Sequence, residues 1–181
     1  MILRTELTTD GEPVPVDEIA TVTLTLHPAF LRVYVEAPFH GDPAPPAPPG
    51  SLDGLWNYEV VELFVAAANG PDWEYTEVEL GPHGHRLALR LNGIRKRSPK
   101  NPLAPLPFSA VIAGRCWTGT ADVPLGWLPG VPAAAWRLNA CAIHGSSPRR
   151  YLTAARLQAP LGQPDFHRPA EFLGWAMRGG A

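Results

Sequence analysis

Glu62 stands between Val60 and Phe64 in a run, Leu55 to Val65, that otherwise reads as a buried β-strand. A second run, Trp73 to Leu80, alternates: Thr76, Val78 and Leu80 share one face, and Trp73, Tyr75, Glu77 and Glu79 share the other. Between them Ala67 to Asp72 is a turn-rich hairpin loop. A hairpin symmetric about Asn69-Gly70 sets Glu62 opposite Glu77 and Phe64 opposite Tyr75. Like charges directly opposite destabilise a sheet, so two such carboxylates need a cation, a proton or a ligand close by. Glu62 in particular requires either a structural arginine or a ligand, because an unpaired carboxylate on an apolar strand face is costly.

Such a patch suits three chemistries. In the first, Trp56, Tyr58, Trp73 and Tyr75 stack on the C–H face of a sugar while carboxylates bind its hydroxyls. The plainer reading makes these rings cross-strand pairs that cover the sheet. In the second, Glu59, Glu62, Glu77 and Glu79 supply a catalytic pair. Glycoside hydrolysis needs its carboxyls about 5 Å or about 6.5–9.5 Å apart, with one kept protonated. Ion pairing with Arg86, Arg90 or Arg150 is the plainer account, preferred for Glu79. Arginines that close would keep Glu62, Glu77 and Glu79 ionised, which argues against acid–base catalysis. In the third, His83, His85, His144 and His167 with Asp165 offer metal-ligating side chains. His83 lies in a turn, however, and lone histidines more commonly anchor loops. The metal candidates reduce to His83, Asp165 and His167, and no cofactor is expected. No nucleophile elbow, phosphate-binding glycine loop or dinucleotide fingerprint occurs.

The elements that position these residues are short strands. They are expected at 2–7, 20–27, 31–37, 58–66, 73–80, 85–91, 108–113, 116–123, 136–144 and 150–157. Clean period-2 alternation, as in Thr21 to Leu26 and Arg86 to Leu91, is the mark of antiparallel strands with one buried face. No segment sustains a helical period. Brief helical turns are expected at Pro124–Leu128 and Pro169–Phe172, where proline occupies a tolerated first-turn position. About ten strands punctuated by glycine and proline predict an all-β fold, an antiparallel β-sandwich, as a single domain over residues 1–181. An even-length link at Gly81–Gly84 would bring Val78 against Leu87 and Glu79 against Arg86. Arg86 and Arg90 then supply countercharge to the glutamates. Residues 42–50, Asp-Pro-Ala-Pro-Pro-Ala-Pro-Pro-Gly, form a stiff extended loop.

Composition narrows the partners. Charged residues are only 18% of the chain, the formal net charge is −2, and no basic stripe is present, so nucleic acid is not an expected partner. The short basic runs Arg95–Arg97 and Arg149-Arg150 read as solvated loops. No apolar run approaches the roughly 18–20 residues of a membrane span, so no membrane association is expected. The N-terminus does not read as a secretion signal. Cys116 and Cys141, without metal spacing, read as free and mostly buried thiols of a soluble cytoplasmic protein.

Five motifs occur in order: Ala37-Pro-Phe39, Leu55-Trp-x-Tyr-Glu-Val-Val-Glu62, Tyr75-x-Glu-Val-Glu-Leu-x-Pro-His-Gly84, Ala142-Ile-His-Gly145 and Pro164-Asp-Phe-His167. Together they resemble an uncharacterised family of small proteins of bacteria and animals. That family is similar in turn to the family 9 carbohydrate-binding modules and the DOMON-type β-sandwiches. The match runs from about Val35 to Trp175, although no two-tryptophan clamp or calcium loop of those modules maps onto it. The resemblance implies a β-sandwich that binds a carbohydrate or other small polyol. On this reading Trp56, Tyr58 and Tyr75 stack, Glu62 and Glu77 accept hydroxyl protons, and His144 with Arg150 completes the polar rim. The alternatives are a hydrolase using Glu62, Glu77, His83, His144 and His167, and a protein-interaction module using the proline-rich loop.

Overall fold

The computed structural model describes residues 1–99, 101, 105–158 and 164–175. In chain order its strands are β1 (Ile2–Arg4), β2 (Leu7–Thr8), β3 (Thr21–Leu26), β4 (Phe30–Pro38), β5 (Val60–Asn69) and β6 (Asp72–Leu80). They continue with β7 (Arg86–Asn92), β8 (Phe108–Ala113), β9 (Cys116–Pro124), β10 (Arg137–His144), β11 (Arg150–Thr153) and β12 (Leu173–Gly174). A five-stranded sheet has the order β1-β3-β4-β9-β8. A seven-stranded sheet has the order β2-β11-β10-β5-β6-β7, with β12 joined to β10. Every pairing between these strands is antiparallel. Single 3₁₀ turns at Leu125–Trp127 and Pro169–Glu171 fall where helical turns are expected from sequence. Among the described residues no helix is long and apolar enough to cross a membrane.

Alternation explains the layering. Val22, Leu24, Leu31, Val33, Val35 and Val123 point inward from the five-stranded sheet. They meet Val61, Leu63, Val65, Val78, Leu80, Leu138, Ala140 and Leu152 from the other. Each fully buried leucine or valine here contributes about 1.5–3 kcal/mol of burial free energy. The outer face of the five-stranded sheet carries exposed Thr25, Arg32 and Glu36. There Arg32 forks onto Asp122 with two bonds of 2.8 Å.

The seven-stranded sheet is different because its outer face is also covered. β5 is buried without interruption from Val60 to Ala67, as a strand packed on both sides must be. Phe64, Ala66, Tyr75, Leu87, Leu89, Leu91, Cys141 and Ile143 form a second apolar cluster with Leu55, Phe166 and Phe172 from overlying loops.

Two registers depart from the sequence expectation. The β5–β6 hairpin closes around Gly70-Pro71, so Glu62 pairs with Glu79 and Phe64 with Glu77. Gly70 takes φ 61° before a proline, the arrangement of a type II′ turn. The shift is two residues, which leaves every side chain on its expected face. The β6–β7 link is an odd five residues, Gly81–His85, closed by Gly81 N–H to the His85 carbonyl at 2.9 Å. Val78 therefore meets Ala88, while Glu77 meets Leu89 and Glu79 meets Leu87. A one-residue change of register inverts a strand. Leu87 and Leu89 thus lie with the glutamates rather than in the central core. Arg86 and Arg90 face the opposite way, and Arg90 is bonded to Glu74 at 2.8 Å.

The proline-rich loop is strapped down rather than free. The Glu59 carboxylate accepts from the His40 and Asp42 N–H groups at 3.0 and 3.3 Å. His85 contacts the Ala47 carbonyl at 2.8 Å, and Ser51 bridges to Arg86 in parallel. Cys116 and Cys141 are both free, but Cys116 is exposed because it sits at the first position of β9, beside the Gly114 turn.

Candidate functional site

The covered face of the seven-stranded sheet contains a cavity of about 310 Å³. Glu62 of β5 and Glu77 of β6 form its floor, with Leu89, Leu91, Ile143 and Tyr151 around them. Its walls come from three loops: Trp56 from the 3₁₀ turn before β5, Arg95 and Arg97 from the turn after β7, and Pro164, Phe166 and His167 from the C-terminal segment. Beside the floor, fully enclosed, is Glu79. Oxygens of Glu62, Glu77 and Glu79 all lie within 4.8 Å of one another.

Tyr75 ties two of the walls together from beneath. Its ring is completely buried. Its hydroxyl accepts from the Arg95 backbone N–H at 2.8 Å and is 2.8 Å from His167 Nδ1. The Tyr75–His167 bond runs in either direction, according to which ring nitrogen of His167 carries the proton. Arg95 has φ 57°, a left-handed conformation that costs a side-chain-bearing residue about 1–2 kcal/mol. The Tyr75 bond and the ion pair from Arg95 Nη2 to Asp165 at 2.7 Å hold it there. Asp165 also accepts from the His167 N–H at 3.0 Å. Arg97 forks onto Asp53 at 2.6 and 2.9 Å and lies 5.8 Å from the centre of the Trp56 ring. Arg149 donates to the carbonyls of Trp56 and Tyr58 at 2.8 and 2.9 Å. Arg95, Arg97 and Arg149 therefore help hold the walls of the site, while residues 95–97 stay exposed to solvent.

Electrostatics reverse one expectation from sequence. Burial, the Glu77 charge adding to it, pushes the Glu62 carboxyl well above the usual range, against weaker pulls from Arg149 and Arg95. Burial pushes Glu77 up to about 7. Glu79 is raised well above its ordinary value by burial and then by Glu62, Glu77 and Asp53, against a slight pull from the Trp56 backbone amide. No hydrogen bond of normal geometry joins that amide to Glu79, and neither Glu79 oxygen has a partner among the described residues. Arginines do not offset the effect of burial at any of the three, because Arg95 and Arg97 are already engaged by aspartates and Arg86 and Arg90 point away. His167 is lowered to about 4, by burial first and then by Arg95, so it is neutral.

Of the residues singled out from sequence, the cavity brings together Trp56, Glu62, Glu77 and His167. Tyr75 is the buried tie rather than a stacking surface, because every part of its ring is covered. Tyr58 packs partly buried against the second cluster and is not among the lining residues. His144 and Arg150 pair across β10 and β11, one residue out of phase with Ile143 and Tyr151, so they face elsewhere. There His144 stacks on His40 at 3.5 Å, and Arg150 bonds Glu18 at 2.9 Å. Of the metal candidates, Asp165 and His167 adjoin the cavity, while His83 is 3.3 Å from the Asp42 carbonyl at the proline-rich loop. The hydrolase set with His83 and His144 is thus not assembled. Residues missed from sequence are Arg95, Arg97, Leu89, Leu91, Ile143 and Tyr151. Available signals were the unbroken leucine face of β7 and the basic run directly after it.

No protein-family model matches the chain. It is 38% identical over 175 residues to the UPF0462 protein C4orf33 homolog of Mus musculus, covering 93% of this chain and 87% of that protein. The human UPF0462 protein C4orf33 is 38% identical over 176 residues, covering 92% and 83%. The Danio rerio homolog is 39% identical over 156 residues, covering 82% and 75%. Among solved structures, a candidate carbohydrate-binding protein from Bacteroides uniformis superposes with a TM-score of 0.70 at 14% identity, over 95% of this chain and 84% of that one. A family 9 carbohydrate-binding module from Caldicellulosiruptor kristjanssonii, in complex with cellotriose, gives 0.50 at 12% identity, over 75% and 65%. At such identities the likeness establishes the β-sandwich fold.

Proposed function

The chain belongs to the UPF0462 family, and we propose that it binds a carbohydrate or another small polyhydroxylated ligand in the cavity above Glu62 and Glu77. One observation carries the reading: a single open cavity joins a half-exposed tryptophan to a carboxyl floor. Its 310 Å³ is at the lower end of the roughly 300–1,000 Å³ of small-molecule sites, so it suits a small ligand rather than an extended chain. The floor carboxyls of Glu62 and Glu77 present oxygens that accept from sugar hydroxyls. Trp56 offers an apolar face for the sugar C–H groups, and Arg97 beside it adds a polar edge. The fold shared with carbohydrate-binding β-sandwiches supports the reading. A cytoplasmic setting belongs to the same proposal and is supported by two cysteines that remain thiols.

A glycan screen followed by titration calorimetry tests it, with cellotriose and glucose among the first probes. Binding is expected, and Trp56→Ala should weaken it about 5- to 150-fold with little loss of stability, because a stacked ring contributes about 1–3 kcal/mol. Failure of every carbohydrate and polyol to bind would remove the reading.

A second reading, hydrolysis by Glu62 and Glu77, is favoured by one observation: Glu77 is poised at about 7, as a general acid requires. Turnover of a bound glycoside, abolished in Glu77→Gln with binding retained, would establish it in place of simple binding.

A further inference from the structure

We propose that Glu62, Glu77 and Glu79 form a site for a hard divalent cation at the floor of the cavity. Glu62 and Glu79 are directly opposite on adjacent strands, and Glu77 is two residues further along the same face. A sheet this well buried cannot splay them apart, and their oxygens converge within 4.8 Å. Like charges so placed oppose the strand pairing unless something positive lies between them.

Glu79 separates a cation from a proton as that something. It is completely enclosed, and both of its oxygens are without a hydrogen-bond partner among the described residues. A proton on Glu79, shared with a neighbouring glutamate, would satisfy one of these atoms and leave the other without a partner. A cation shared with Glu62 and Glu77 satisfies the oxygens directly. The nearby arginines do not take this place, since Arg95 is bonded to Asp165, Arg97 to Asp53 and Arg149 to backbone carbonyls.

The donor set names the cation class. Among the described residues the converging cluster holds three carboxylates and no histidine or cysteine, a set that suits Ca²⁺, Mn²⁺ or Mg²⁺ rather than zinc. His167 is turned to Tyr75 through Nδ1, and the Cys141 thiol is engaged with Asn139. Glu62 and Glu77 line the cavity, so an ion can enter from it and keep its remaining coordination positions directed there. The inference concerns the floor alone and does not depend on what fills the cavity above.

The test uses the full chain, freed of metal by a chelator, with no sugar present. Calorimetric titration with Ca²⁺, Mg²⁺ and Mn²⁺, and the paramagnetic resonance of Mn²⁺, should show one saturable site for at least one of the three ions. The melting temperature should rise with that ion, because it binds the folded state. Glu79→Gln should weaken binding at least about tenfold, whereas Glu36→Gln, on the far outer face, should leave it unchanged. Should Glu79→Gln not fold, Glu77→Gln at the cavity surface serves as the same test. No saturable binding up to about 10 mM of any of the three ions, an order beyond the weakest ordinary calcium sites, would overturn the proposal. Binding undiminished in the glutamine variants would overturn it equally.

Discussion

Replacing Tyr75 by phenylalanine removes one oxygen atom and should loosen two walls of the cavity at once. The ring itself remains packed against Phe64, 6.4 Å away between centres, so no void larger than a hydroxyl is created. The loss is in hydrogen bonding. The Arg95 N–H and His167 Nδ1 each lose a partner at 2.8 Å. A buried polar group left without a partner costs about 1–3 kcal/mol. Two such groups, partly relieved by water from the adjoining cavity, give an expected destabilisation of about 2–4 kcal/mol. Arg95 also loses a restraint on its left-handed backbone, so the turn carrying Arg95 and Arg97 should relax. Urea unfolding followed by tryptophan fluorescence measures the first effect. An unchanged denaturant slope would show that the fold itself is retained. Carbohydrate titration measures the second, with affinity expected to fall although Tyr75 touches no ligand. A destabilisation below about 0.5 kcal/mol, within the range of an ordinary surface substitution, would refute the role of this hydroxyl as the tie between the two walls.

Other outcomes follow from the packing and the charges. Leu63→Ala empties a fully buried position between the sheets and should cost about 2–5 kcal/mol in urea unfolding. Gly119→Ala would place a Cβ 2.8 Å from the Phe108 ring and 2.9 Å from that of Trp117, so a loss of about 1–3 kcal/mol is expected from overpacking in a thermal melt. His144 is lowered to about 4 by burial first and then by His40, against Glu18 and Asp42 and with Arg150 adding to the lowering. The unfolded chain, with histidine near 6.5, binds the proton more readily. This contribution is therefore full above pH 6.5 and is lost as the pH falls from there toward 4. The effect is on the order of 2–3 kcal/mol for a ring buried to this degree. It is read as the difference in stability between wild type and His144→Gln across that window, and parallel curves for the two proteins would contradict it.

Strand order along the chain, the antiparallel sandwich and the presence of an acidic patch were legible in sequence because each rests on local periodicity. Alternation in Thr21–Leu26 and Trp73–Leu80 assigns faces whatever the partner strand. The Glu77 and Glu79 face was correct even though the β5–β6 turn falls two residues from the expected centre. An even shift preserves faces. The β6–β7 link was not so forgiving, since one additional residue in the turn moved Leu87 and Leu89 to the glutamate side and carried Arg86 and Arg90 away from it. Loop parity depends on how Gly81 and His85 close on each other, which no residue pattern records.

What only the tertiary structure decided is which loops cover the second face of the sheet. The run Val60 to Ala67 announces burial on both sides, but not by what. Arg95, Arg97, Trp56 and His167 meet because Tyr75, Asp165 and Asp53 hold loops distant in the chain against one face. That covering also sets the chemistry of the glutamates. Glutamate is an ordinary carboxylate as a residue type. It becomes a proton-holding or cation-seeking group when water is excluded and its nearest arginines are already paired. Sequence determines which side chains are available on each strand face, since the backbone repeat is local. Solvent access and the competition for countercharges are properties of the assembled chain, and they are what turn three glutamates into a site.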